Sequence, residues 1–249
     1  MEFAPQHSHR SVPCDLLQVK KYRDIFFDLD RTLWDFDTNS RKALEIIFAE
    51  ESLESSEIPG FSAFYEKYVG INDELWAHYR RGHLTKEELQ FRRFDMALRS
   101  FGITDLQLAN RISDAYVDLS PRLTELIDGA IEILHYLHGR YKLHIITNGF
   151  PEVQHIKLKN SGLKEKFERI LISEEVGASK PSPEIFRQAI VQAGSSPAKS
   201  IMIGDDLHTD VLGAQRSGID GVYFNPEKLV HSENPTYEIT HLKDLKDLL

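Results

Sequence analysis

Asp24-Ile25-Phe26-Phe27-Asp28-Leu29-Asp30-Arg31-Thr32-Leu33 is the stretch from which the fold of this chain can be read. Its apolar run, Ile25 to Phe27, predicts a buried strand, and two carboxylates followed by a threonine stand where that run stops. In an extended chain residues i and i+2 point the same way, so Asp28 and Asp30 crowd like charges at the strand's carboxyl end. Such crowding calls for a cation or a shared proton.

Beyond that strand the chain turns helical. Residues 39–51 carry apolar positions at helical spacing, with Asn39 or Ser40 as N-cap, and Pro59-Gly60 breaks the run. Residues 61–81 predict an aromatic-rich helix. Thr85-Lys86-Glu87-Glu88 has the form of a capping box opening a helix through about Ser100, and a fourth helix spans about Asp105 to Leu119 before Ser120-Pro121 stops it. These helices, with no strand between them, predict an inserted all-helical unit over 38–125.

Beyond Pro121 strands and helices alternate. Helices are expected over 128–140, 152–161, 183–193, 211–217 and 242–249, and strands over 142–147, 169–172, 200–203 and 221–224. Strands separated by single helices imply parallel βαβ units, so segments 23–37 and 126–249 form an α/β core domain. Residues 1–22 read as a loose N-terminal extension.

Three later segments carry chemistry. Leu143 to Ile146 runs into Thr147-Asn148-Gly149, a further segment reaches Lys180-Pro181, and Ile201 to Ile203 runs into Gly204-Asp205-Asp206 with Asp210 four residues on. In an open parallel sheet ligands bind beyond the carboxyl ends of the strands, so these scattered residues can meet. Asp28, Asp30, Asp205 and Asp210 against Lys180 leave a pocket near −3, roughly, before any phosphate arrives, and such a set requires a bound cation. All-oxygen ligation favours Mg²⁺ over zinc.

The order Asp-x-Asp-x-Thr, Thr-Asn-Gly, Lys-Pro and Gly-Asp-Asp with a further Asp resembles the four-motif signature of the haloacid dehalogenase-like (HAD) superfamily of phosphohydrolases, from about Arg23 to the C-terminus. The resemblance implies a Rossmann-like parallel sheet with a helical cap. It implies Asp28 as the nucleophile that forms an aspartyl phosphate and Asp30 as general acid and then base. It also implies Mg²⁺ held by the side chains of Asp28 and Asp205 and the backbone carbonyl of Asp30, with Asp210 supporting the metal or Lys180. Thr147 and the Asn148 backbone would hold phosphate oxygens, and Lys180 would neutralise the developing charge. The sequence after Thr147, with Gln154, Lys157 and the ending Asn234 to Ile239, is similar to the house-cleaning pyrimidine 5′-nucleotidases of this superfamily. A phosphoglycolate or sugar-phosphate phosphatase, a phosphomutase and a non-catalytic binding module stay open beside it. Two departures stand out: Arg31, where Gly or Asn is common, and the extra carboxylate Asp206. Trp34, Phe36, Trp76 and Tyr79 are candidates to stack on a base, or to pack the cap's own core.

The composition bounds the partners. The 249 residues carry a net charge of −9, with 41% hydrophobic and 28% charged residues, an ordinary soluble balance that advertises no basic surface for a nucleic acid polymer. The expected partner is a small phosphorylated metabolite, a nucleoside monophosphate, for a monomer or homodimer. A single cysteine, Cys14, fits a reducing cytoplasm, and no apolar run reaches the length of a membrane span.

Overall fold

The β1 strand (Asp24–Phe27) lies at the middle of a six-stranded sheet whose strands are all parallel. A computed structural model describes residues 21–55 and 57–249. The other strands are β2 (Lys142–Thr147), β3 (Arg169–Ile172), β4 (Ser200–Gly204), β5 (Asp220–Phe224) and β6 (Tyr237–Ile239), in the spatial order β3-β2-β1-β4-β5-β6. Phe27 pairs with Ile145 on one side and Ile203 on the other. The order reverses at β1, which opens a crevice beyond the carboxyl ends of β1, β2 and β4.

Between β1 and β2 the chain forms four long helices, α1 (Phe36–Glu50), α2 (Phe61–Arg80), α3 (Lys86–Arg99) and α4 (Leu106–Leu119), followed by α5 (Ala130–Leu137). Helices α1 to α4 have their own apolar core, including Leu44, Ile47, Phe64, Phe94 and Ile112, with the Tyr68 and Phe94 rings stacked 5.4 Å apart. The remaining helices are α6 (Pro151–Asn160), α7 (Ser173–Val176), α8 (Pro183–Ala193), α9 (Leu212–Arg216) and α10 (Leu245–Leu248). Ile25 and Phe27 pack toward α5, α6 and α10, whereas Phe26, Ile146 and Met202 pack toward α8 and α9. Both faces of the sheet are covered, which is why β1 reads as a continuous apolar run. Each buried phenylalanine there contributes about 2 kcal/mol.

Several boundaries differ from the sequence reading. The N-cap of α1 is Asp35, whose Oδ1 accepts from the Thr38 amide at 2.9 Å, and neither Asn39 nor Ser40 serves. Asn39 is inside the helix and buried, donating to the carbonyls of Asp35 (2.8 Å) and Glu125 (2.9 Å) and accepting from the Glu125 amide (3.1 Å). It therefore ties together the two stretches of chain that leave and re-enter the core. Helix α5 starts only at Ala130 because Gly129 takes a left-handed φ of +78°. The helix expected over 211–217 is a π turn, Leu207–Val211, continued by α9. Strand β6 and helix α7 lie outside the elements expected from sequence. Of the extension assigned to 1–22, residues 1–20 and Cys14 lie outside the described residues, while Tyr22 is buried and donates its hydroxyl to Asp220 at 2.6 Å. Among the described residues no helix is long and apolar enough to cross a membrane.

The α3 capping box is formed in full, the Thr85 hydroxyl accepting from the Glu88 amide and the Glu88 carboxylate from the Thr85 amide. Thr85→Ala is expected to cost about 1 kcal/mol and to lower Tm by about 2–4 °C in a calorimetric scan, since the Glu88 amide loses its acceptor.

Candidate active site

The carboxyl ends of β1, β2 and β4 converge on one cavity. Asp28 follows β1 directly, with its amide donating to the Ile203 carbonyl at 2.9 Å. The Lys180 ammonium, 2% exposed, stands 2.5 Å from Asp28 Oδ1 and 2.8 Å from Asp210 Oδ1. Asp205 follows β4, and the Thr32 hydroxyl donates to its Oδ1 at 3.0 Å while accepting from its amide at 3.1 Å. Thr32 thus locks the motif of β1 to that of β4. Gly204 has a steric reason: a Cβ there would lie 2.2 Å from Asp210 Oδ2, so any side chain would push Asp210 away from Lys180.

Thr147 ends β2, with its Oγ1 accepting from Gln154 Nε2 at 2.6 Å and from the Gly149 amide at 3.2 Å. Asn148 donates to the Lys180 carbonyl (3.0 Å) and accepts from the Lys180 amide (2.9 Å), so its side chain holds the lysine's backbone in register. Asp30 does not pair with Asp28. Its Oδ1 accepts from the Lys157 ammonium at 2.5 Å and its Oδ2 from Gln154 Nε2 at 2.8 Å. Neither Lys157 nor Gln154 is among the site residues expected from sequence, and their spacing of three on α6, which puts both on one helix face, was the available signal. Lys157 thus sets a second ammonium group against the carboxylates of Asp28, Asp30, Asp205 and Asp210, a smaller excess of negative charge than Lys180 alone leaves.

Electrostatics define what this arrangement demands. Burial pushes the Asp28 carboxyl up to about 7, with Lys180 opposing and the charges of Asp210 and Asp30 adding. Burial also raises Asp205, helped by Asp28 and Asp210, and raises Asp210 against the pull of Lys180. Burial disfavours the Lys180 ammonium, but Asp210 and Asp28 outweigh it and hold its pKa above the ordinary lysine value. Asp28, Asp205 and Asp210 each offer an oxygen within 4.8 Å of the others. Three oxygen donors that repel one another when ionised suit a hard divalent cation.

The cavity has a volume of about 350 Å³, with Asp28, Asp30, Thr147, Asn148, Lys180, Asp205 and Asp210 on the sheet side. Phe36 and Trp76 also line it, and Trp76 stacks on Phe150 with centroids 5.3 Å apart. Trp34 must be withdrawn from the base-stacking candidates. Its indole is fully buried in the core, its Nε1 donates to the Leu123 carbonyl at 3.2 Å, and its ring carries the Lys157 ammonium at 4.2 Å. Tyr79 packs edge-on against Phe150.

Both departures noted in the sequence have physical explanations. Arg31 has a φ of +62°, in the left-handed region that favours Gly and Asn, and its guanidinium is tied by a forked bond to Asp37 (2.9–3.1 Å) while lying over the Phe36 ring. Asp206 caps the π turn, its Oδ1 accepting from the amides of His208 (3.0 Å) and Thr209 (2.9 Å).

A family model for haloacid dehalogenase-like hydrolases matches residues 22–218. The chain is 31% identical to the pyrimidine 5′-nucleotidase YjjG of Escherichia coli K12, over 92% of this chain and 98% of that one. It is 34% identical to the pyrimidine 5′-nucleotidase PynA of Streptococcus pneumoniae, over 92% of this chain and 95% of that one. Among solved structures it is similar to the magnesium-bound HAD-hydrolase YfnB of Bacillus subtilis, with a TM-score of 0.83, 31% identity and coverage of 92% and 99%.

Proposed function

This chain belongs to the haloacid dehalogenase-like hydrolases and acts on phosphate monoesters, and from that premise we propose that it is a Mg²⁺-dependent 5′-nucleotidase for pyrimidine nucleoside monophosphates. The observation that carries the reaction type is the buried Asp28–Lys180–Asp210 array at the sheet's switch point, beside Asp205 and Asp30. The substrate class is supported by the similarity over nearly the whole chain to two nucleotidases.

In this reading an Asp28 oxygen attacks phosphorus, the bond to the leaving oxygen breaks, and an aspartyl phosphate forms. Asp30 supplies the proton to the leaving oxygen and later takes one from the water that attacks the acyl phosphate. Lys157 and Gln154 position Asp30, each holding one of its two oxygens. Lys180 holds Asp28 toward the cavity and offsets charge as it develops. Thr147 and the Asn148 backbone hold phosphate oxygens. Asp28 and Asp205 would hold Mg²⁺ by side-chain oxygens and Asp30 by its carbonyl, with Asp210 supporting the metal or Lys180. When bound, that ion supplies positive charge that offsets the repulsion of the carboxylates for one another and for the phosphate.

Phosphate release on a panel of pyrimidine and purine monophosphates, sugar phosphates and phosphoglycolate tests this. The expected result is a kcat/KM at least about 10-fold higher for pyrimidine monophosphates, lost on chelation, since one well-placed contact to the base is worth that much. A preference for phosphoglycolate or a sugar phosphate would overturn the substrate assignment.

A further inference from the structure

The roof of the cavity holds a cation that the reaction does not use. Arg93, on α3, is 5% exposed and lines the cavity, yet among the described residues it forms no ion pair. Its guanidinium lies over the rings of Tyr116 (4.7 Å) and Phe94 (5.1 Å). Its hydrogen bonds are long ones, from Nη1 to Asn72 Oδ1 and from Nε to the Gln90 carbonyl, both at 3.4 Å. A guanidinium carries five N–H donors, so most of this one's are available, and a buried cation without an anionic partner is costly. Asn72, 2% exposed, commits its Oδ1 to Arg93 and to the Tyr68 hydroxyl, which leaves its NH₂ for the cavity it lines. Arg93 and Asn72 together present an edge made of donors.

The surroundings select what that edge reads. Phe36, Trp76, Val117 and Pro121 give the same cavity apolar walls, which suit a flat ring better than a small charged acid. Its volume of about 350 Å³ is at the small end for a ligand site, and a two-carbon phosphate would leave much of it empty. We propose that Arg93, braced by Asn72, is the specificity-determining residue that binds the leaving group, donating hydrogen bonds to a carbonyl oxygen of the pyrimidine base. The proposal rests on the nucleotidase reading and adds the residue that executes it.

The test compares uridine 5′-monophosphate with ribose 5-phosphate, which keeps the sugar and phosphate and lacks the base, in wild type, Arg93→Met and Arg93→Lys. Each ratio of kcat/KM is taken on one preparation, so loss of folded enzyme or weaker attraction for the phosphate lowers both values and cancels. In Arg93→Met the nucleotide-to-sugar ratio is expected to fall about 10- to 100-fold, as for a hydrogen bond to a charged group, with ribose 5-phosphate turnover changed less than about 3-fold. Arg93→Lys recovers part of the ratio, because it restores the charge without the fork. A ratio unchanged in Arg93→Met, or two substrates that fall together, overturns the proposal and leaves the nucleotidase reading standing. A wild type that does not favour the nucleotide over ribose 5-phosphate overturns both.

Discussion

Asp28→Asn is expected to lower kcat by at least about 10⁴-fold toward every phosphate ester the enzyme accepts. The amide has the carboxylate's shape but not its nucleophilicity, so binding survives and bond formation to phosphorus does not. Acid-quenched wild-type enzyme mixed with substrate should carry the mass of one added phosphoryl group, and the variant should not. The fold responds in the opposite direction. Asp28 in an unfolded chain ionises near 3.9, approximately the free aspartate value, whereas in the fold it ionises near 7 because of burial. Between those pH values the folded state binds more protons than the unfolded state, so stability falls as pH rises through this window. Asn removes that loss, and Lys180 keeps Asp210 at 2.8 Å as its partner. In chelator at pH 7 the variant should therefore melt at or above the wild-type temperature, while near pH 4 the two should converge. Turnover within about 10-fold of wild type would exclude Asp28 as the nucleophile.

The parts of this site that were legible in the sequence are those that end strands. Ile25 to Phe27, Leu143 to Ile146 apart from the buried His144, and Ile201 to Ile203 are apolar because both sheet faces are covered, and the polar residue that ends each run is pinned to the crevice. Residues that reach the site from helices carry no such mark. Gln154 and Lys157 on α6 carry only their spacing of three, and Arg93 and Asn72 on the inserted helices look like ordinary helix-surface polars until the fold turns those faces inward. Trp34 misled in the other direction, since an aromatic residue close to a catalytic motif can as well be a core side chain, here with its indole N–H bound to Leu123. Strand β6 is three residues long and half-exposed, so Tyr237 to Ile239 has neither the length nor the alternation that marks a strand. The π turn at Leu207–Val211 has no residue signature either, although it sets Asp210 against Lys180.

Lys180→Met is expected to cost both rate and stability, by separate routes. The side chain is of similar length and fits an apolar stem, so the change is mainly the loss of one charge. Two buried carboxylates then lose their common partner, at 2.5 Å for Asp28 and 2.8 Å for Asp210, and removing one member of a buried ion pair costs about 3–5 kcal/mol. The sign with pH comes from the same pairs. Without the ammonium the carboxyls of Asp28 and Asp210, already raised by burial, rise further, so the difference from wild type opens as pH rises through their raised wild-type folded values and closes as pH falls below them. Denaturant unfolding at pH 7 and at pH 4 should show a large difference from wild type at the first and little at the second. Rate should fall by about 10²–10³-fold at pH 7, the size seen when one donor to a developing negative charge is removed. Lys180→Arg would restore the charge, but the Asn148 clamp fixes the backbone for a side chain of lysine's reach, so stability should recover further than rate. A Lys180→Met protein as stable as wild type at pH 7 would mean that Asp28 and Asp210 are already neutral in the resting fold. Lys180 would then act through the substrate's charge alone.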